Sequence, residues 1–218
     1  MNFSHGKWYF QTYDTASDRQ RRLEHLMRKE KSMKTYKKNA LRVALCALLY
    51  AVVTALVCVT GSIHPVFFVC YQITAGILLS GVIITAFRRG KAPGAATCLF
   101  IGLLLLLLVI QDATAWHVIP LIAIVVLAEV IRAAFKYSWK GDVIAAIPMT
   151  FSSFGYYGQI WFNRAYTYEC AVEEMPAGYA DALMAASPTW ALPVVVISGI
   201  ILSVSISNIT AKLFKLEK

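Results

Sequence analysis

The residues able to do chemistry in this chain gather in a few places, and the densest is "SFGYYGQIWFNRAYTYE", Ser153 to Glu169. It closes a long apolar run yet holds Tyr156, Tyr157, Gln159, Asn163, Arg164, Tyr166 and Tyr168. On one continuous helix, Tyr156, Gln159 and Asn163 share a face, because residues three and four apart are neighbours there. Two further clusters have the same character. One is His64, Pro65, Phe67, Phe68, Tyr71 and Gln72; the other is Asp112, Trp116 and His117. Trp190 stands near the start of the last apolar run. Aromatic walls with a few amides and one cation suit recognition of a small molecule, in which polar groups fix orientation and apolar ones give contact area. The candidate ligand-binding set is therefore His64, Tyr71, Gln72, Trp116, His117, Tyr156, Gln159, Asn163, Arg164 and Trp190. For Trp161, Tyr166 and Tyr168 the competing reading is an aromatic belt at a membrane interface. Arg164 either pairs with Glu169 or Asp181, or holds an anionic group of a ligand.

Bond-making chemistry is poorly supported. Ser152, Ser153 and Ser187 lack a histidine at convincing spacing, and Glu173–Glu174 lacks the arginine and helical histidines of an intramembrane prenyl-protein protease. No glycine-rich phosphate loop is present, so the expectation is a protein that is not an enzyme, needs no cofactor and does not hydrolyse ATP itself. A lipid-directed enzyme would need His64, His117 and Asp112 to converge. Cys46, Cys58, Cys70 and Cys98 lie in apolar runs and Cys170 in a link, without metal-ligand or disulfide spacing. Glu129 is read as the one acid well inside an apolar run, with Arg132 three residues on to neutralise it. The alternatives for it are a contact with a membrane partner or, less favoured for want of a second acid at depth, a proton relay.

The elements that position these groups follow from composition. Of 218 residues, 58% are hydrophobic and 15% charged, against about 25% charged in soluble domains. Uncharged runs of about 20 residues recur, enough to cross a bilayer as helices. The expected architecture is an all-α membrane protein, a bundle of six transmembrane helices at about 40–60, 65–87, 94–110, 118–135, 142–163 and 190–211. It follows a basic cytoplasmic tail over 1–39, with 40–218 forming the transmembrane domain.

The net charge of +9 would suggest nucleic acid in a soluble chain, but its distribution points to topology instead. Arg88, Arg89 and Lys91 follow the second run; Arg132, Lys136 and Lys140 mark the link after the fourth; Lys212, Lys215 and Lys218 follow the sixth. "TGSIHP" and "QDATAWH" carry no Lys or Arg, and the link over 164–189 has Arg164 against Glu169, Glu173, Glu174 and Asp181. The positive-inside rule then puts both termini in the cytoplasm and the tyrosine-rich segment outside. Lys7 and the basic residues from Arg19 to Lys38 form a tail suited to anionic lipid or serving as a plain topology signal. Within 164–189, "GYADALMAAS" is expected to form a short helix across the outer mouth, bracketed by Pro176 and Pro188.

On the first run Ala40, Ala44, Ala47, Ala51 and Ala55 recur at four, three, four and four residues. Such a stripe lets helices approach closely, within the bundle or against another protein.

"HPVFF", "TAWHVIPLIAIVVLAEVI", "YYGQIWFNRAY" and "YADALMAASPTWALPVVV" together resemble the Trep_Strep (MptD-like) family, substrate-binding S components of energy-coupling-factor (ECF) transporters. The likeness runs from about Leu41 to the C-terminus. It implies a six-helix subunit that captures a small nutrient on the outer side and docks on a transmembrane coupling subunit driven by two ATPase subunits. It also implies a bacterial cell-membrane location and a docking role for the alanine stripe. A standalone small secondary transporter is the alternative.

Overall fold

A bilayer offers no partner to a backbone amide, so a chain of this hydropathy must satisfy its own backbone by coiling into helices. The computed structural model describes residues 16–90 and 93–216, and every regular element among them is helical. Lys7, Lys91 and Lys218 lie outside the described residues. The elements are α1 (Ala16–Ile63), α2 (Pro65–Val69), α3 (Tyr71–Arg89), α4 (Ala95–Val109), α5 (Ala115–Ala134), α6 (Trp139–Met149), α7 (Phe154–Tyr157), α8 (Gln159–Phe162), α9 (Arg164–Glu174), α10 (Tyr179–Ala186) and α11 (Ala191–Leu213).

Two units divide the chain, one ending at Lys38 and one beginning at Asn39. In the first, the described part is exposed helix, Leu23, Leu26 and Met27 included. Its Glu30–Lys34 pair, 2.7 Å apart and solvated, is worth at most about 0.5 kcal/mol.

The second unit is apolar outside and partly polar inside. Leu45, Leu48, Leu105, Leu108, Val126 and Ile201 are exposed, whereas Gln72, Ser80, Arg132, Asp142, Ser203 and Ser207 are buried. Water would reject such a surface and a bilayer accepts it. Among the described residues, four helices are long and apolar enough to cross a membrane: α1, α3, α5 and α11; α4 is apolar but shorter. This is an integral membrane protein.

The tightest packing joins α3 to α11. A Cβ on Gly76 would stand 2.6 Å from the Gly199 carbonyl oxygen, and one on Gly199 would stand 2.7 Å from that of Gln72. One turn further along both helices, Ser80 Oγ donates to Ser203 Oγ at 2.9 Å. The two helices thus run parallel, back to back through glycines. Small residues at the seam and a buried hydroxyl pair hold them where lipid supplies no hydrophobic drive.

The expected helix over 142–163 is not continuous. Helical geometry stops at Met149, resumes for single turns in α7 and α8, and breaks again at Asn163 (φ −141°, ψ 59°). Pro148 lacks an amide hydrogen and its ring crowds the turn before it; Ser152, Ser153, Gly155 and Gly158 then favour the coil. The run expected over 65–87 is likewise two helices with a break at Cys70.

Gly199→Val should force α3 and α11 apart at a backbone contact, costing about 1–3 kcal/mol or more. The measurement is thermal unfolding of purified protein, with Gly61→Ala, whose nearest neighbour stands at 3.4 Å, as the tolerated control.

Candidate functional site

The broken segment from Thr150 to Asn163 creates the site, because the α6–α8 break turns several side chains inward at one end of the bundle. Gly155 of α7 lies against the Trp116 carbonyl and the Pro120 ring of α5, an approach that any Cβ would block. That approach lets Tyr156 stack on His117 at 4.6 Å, while Tyr157 stacks face to face on Tyr71 at 4.1 Å and packs on Phe68 at 4.5 Å. Each such aromatic pair contributes about 0.5–1.5 kcal/mol beyond area burial. His117 is oriented by Asp112, whose carbonyl lies 2.9 Å and carboxylate 3.3 Å from Nδ1.

Over this cluster lie α9 and α10. Phe68, Tyr156, Gln159, Tyr166, Glu174 and Tyr179 are among the residues lining a cavity of about 30 Å³ beneath them. That is room for roughly one water, so the roof is closed in this conformation. Gln159 is 6% exposed. Its Nε2 donates to the Gly155 carbonyl at 3.3 Å, but its Oε1 has no hydrogen-bond partner. A buried amide oxygen without a donor costs about 1–3 kcal/mol, a cost that a ligand N–H or O–H would relieve.

The roof is fastened at both ends. Tyr179 Oη donates to the Gly61 carbonyl of α1. Arg164 donates through Nη1 to the Ile160 carbonyl (3.2 Å) and the Ser187 carbonyl (2.7 Å), and through Nη2 to the Met184 carbonyl (3.1 Å). A guanidinium at the C-terminal carbonyls of α10 also meets the negative end of its dipole. Trp161 Nε1 donates to the Pro188 carbonyl at 3.3 Å, and Tyr168 Oη to Asp181 Oδ1 at 3.0 Å.

The structure gathers Tyr71, His117, Tyr156 and Gln159 into one cluster. Of these, Tyr156 and Gln159 line the cavity, and the others of the expected set do not. His64 is exposed and caps α2, its Nδ1 accepting from the Val66 amide at 3.2 Å. Trp116 and Trp190 are 54% and 69% exposed. Gln72 donates to Thr150 Oγ1 at 3.0 Å, deeper than the cavity, leaving its own Oε1 unpartnered. Asn163 sits at the α8–α9 break, so it shares no helix face with Tyr156 and Gln159. Arg164 pairs with neither Glu169 nor Asp181; its donors go to carbonyls. Of the alanine stripe, Ala47 and Ala51 are buried within the bundle, where α4 approaches at Gly102, Ala55 is half-buried, and Ala40 and Ala44 remain exposed.

At the opposite end, where α3, α5 and α11 finish and α6 begins, a second polar set is buried. Asp142 accepts at Oδ1 from Arg132 Nε at 2.9 Å and at Oδ2 from Arg88 Nη1 at 3.0 Å. Arg132, fully buried, lies over the Phe87 ring at 4.3 Å, donates to the Phe87 carbonyl at 3.3 Å, and stands 3.5 Å from Glu129. Glu129 Oε1 in turn accepts from the amides of Gly94, Ala96 and Thr97, capping α4 with a full charge at the positive end of its dipole. The Glu129–Arg132 pair is present as expected. Asp142, at the rim of its apolar run, is buried too and joins this pair. Asp142 and Tyr179 are residues that sequence alone passed over.

A model of the family described as a hypothetical bacterial integral membrane protein (Trep_Strep) matches residues 37–216 of the chain. No curated protein and no solved structure matches it.

Asp142→Asn removes the carboxylate that Arg88 and Arg132 share and should cost about 3–5 kcal/mol, read as a lost or sharply lowered melting transition. Arg164→Met should instead leave the melt nearly unchanged while hydrogen exchange over 179–186 accelerates by about tenfold or more, because local opening draws on local contacts.

Proposed function

The chain belongs to the Trep_Strep family of bacterial integral membrane proteins, and from that premise we propose that it is the substrate-capture (S) subunit of an ATP-driven, ECF-type uptake transporter. In this reading six membrane crossings place both termini in the cytoplasm of a bacterial cell, and the aromatic cluster under α9 and α10 meets the exterior. A small nutrient enters there when the roof opens. The subunit then docks on a transmembrane coupling subunit, through which two ATPase subunits supply the energy. It carries out no turnover of its own.

The observation that supports this most is the roofed polar and aromatic cluster, in which a buried Gln159 carbonyl oxygen lacks a donor. Backbone irregularity at membrane depth is tolerated where it is buried in protein or lines a cavity, and the α6–α8 break does both. The charge pattern supports the orientation: the described Lys and Arg of the second unit cluster where α3, α5 and α11 end and α6 begins, whereas the roof has Arg164 alone. The exposed Ala40 and Ala44 leave part of the small-residue stripe open for docking, a smaller surface than the full stripe.

A standalone secondary transporter coupled to protons fits less well. It needs a carboxylate open to the coupling ion, and both Asp142 oxygens are held by arginines while Glu129 serves three amides.

Native mass spectrometry of the purified chain should show a retained small molecule, and pull-downs should recover a coupling subunit. Liposomes holding the chain alone should show no gradient-driven flux; flux without an ATPase would refute the proposal. A cysteine at Glu173, in a chain with Cys170→Ser, should react with a membrane-impermeant maleimide added outside intact cells.

A further inference from the structure

The roofed cavity also carries a chemical preference, an inference that rests on its being the capture site. Its wall is aromatic: Phe68, Tyr156, Tyr166 and Tyr179. Its one charged lining residue is Glu174, an exposed carboxylate on the last turn of α9. Its one buried polar group without a partner is Gln159 Oε1, an acceptor. The surroundings repeat the sign. Asp112, Glu169, Glu173 and Asp181 stand on the neighbouring segments, and between residues 150 and 195 the sequence has no lysine and a single arginine. That arginine, Arg164, has its guanidinium committed to the carbonyls of Ile160, Met184 and Ser187. Among the described residues, no cation therefore lines the cavity.

We propose that this site takes a small organic cation, an amine or N-alkylated ring whose positive face lies against the tyrosines and whose N–H or polarised C–H reaches Gln159 Oε1, with Glu174 as counter-charge. Aromatic faces attract a cation through the ring quadrupole, more strongly when water is excluded. Closing α9 and α10 over the ligand supplies that exclusion. An anionic ligand would meet the opposite: a carboxylate at the mouth, an acceptor on the wall and only neutral donors, the tyrosine and Thr167 hydroxyls, the Cys170 thiol and the second N–H of Gln159.

Three probes of one shape and different charge decide this: benzylamine (cationic at neutral pH), benzyl alcohol and benzoate, titrated into the full chain in detergent by calorimetry. Benzylamine should bind at least about tenfold more tightly than benzoate, a difference of roughly 1.4 kcal/mol. Glu174→Gln, an exposed change that leaves the packing alone, should remove that preference and leave benzyl alcohol unaffected. Gln159→Leu should weaken benzylamine while the melting temperature holds or rises. Benzoate binding as well as benzylamine overturns the cation proposal and leaves the capture role standing, as does a co-purified molecule that proves anionic. A preference that survives Glu174→Gln, or no binding by any probe, overturns the assignment to this cavity. Absence of any retained small molecule together with flux from the chain alone removes the capture role as well.

Discussion

The second unit is organised around one constraint: a helix interrupted inside the protein must find partners for the backbone groups it frees, and the surrounding side chains must supply them. The segment from Met149 to Asn163 is interrupted twice. The Met149 carbonyl receives Tyr50 Oη at 2.8 Å from α1, and Thr150 Oγ1 turns back to the Ile147 carbonyl at 2.7 Å while accepting from Gln72. The Ile160 carbonyl receives Arg164. Three elements, α1, α3 and α9, are thereby drawn onto the break, and the rings of Tyr71, Tyr157, Tyr156 and His117 fill what remains. A regular helix here would need none of these contacts and would leave no cavity under α9 and α10.

Much of this was legible in the sequence and some was not, for reasons that are physical. The length and polarity of apolar runs mark helices well, because one number, hydropathy over about 20 residues, decides the matter. The α10 helix was legible from its bracketing prolines and its apolar spacing. The break over 150–163 was harder, since Pro148, Gly155 and Gly158 are each tolerated in membrane helices and only their combination with Ser152 and Ser153 ends one. Treating that run as continuous put Asn163 beside Gln159. Arg164 was read as a charge in search of a charge, yet its partners are carbonyls at helix ends, which no sequence distance between ionisable residues reveals.

Asp142 shows the same limit from another side. It stands three residues after Trp139, where an aromatic and a lysine suggest an interface, so its sequence context reads as solvated. Burial follows instead from the turn between α5 and α6. Lys136 and Tyr137 adopt left-handed backbone (φ 51° and 54°) and the Tyr137 amide reaches back to the Arg132 carbonyl at 2.8 Å, a helix-ending motif made without glycine. That turn lays Tyr137 over Arg132, aims the Tyr137 carbonyl at Arg88, and folds α6 back so that Asp142 lands between two arginines.

The two ends of the unit therefore differ in how far their polar groups are satisfied, and the difference bears on motion. Where α5 and α6 meet, two carboxylates face two guanidiniums, and Glu129 extends the network into the first turn of α4; opening it would strip several charges of partners at once. At the other end the fastenings are one hydrogen bond each from Tyr179, Trp161 and Tyr168 and the several that Arg164 donates, while Tyr71 Oη, Gln72 Oε1, Ser152 Oγ and Gln159 Oε1 remain without hydrogen-bond partners inside. Separating α9 and α10 from the cluster breaks few bonds and exposes groups that gain from new partners. Low-stability segments are where binding loops and lids are drawn from. A bundle locked by ion pairs at one end and loosely roofed at the other will open at the roof first.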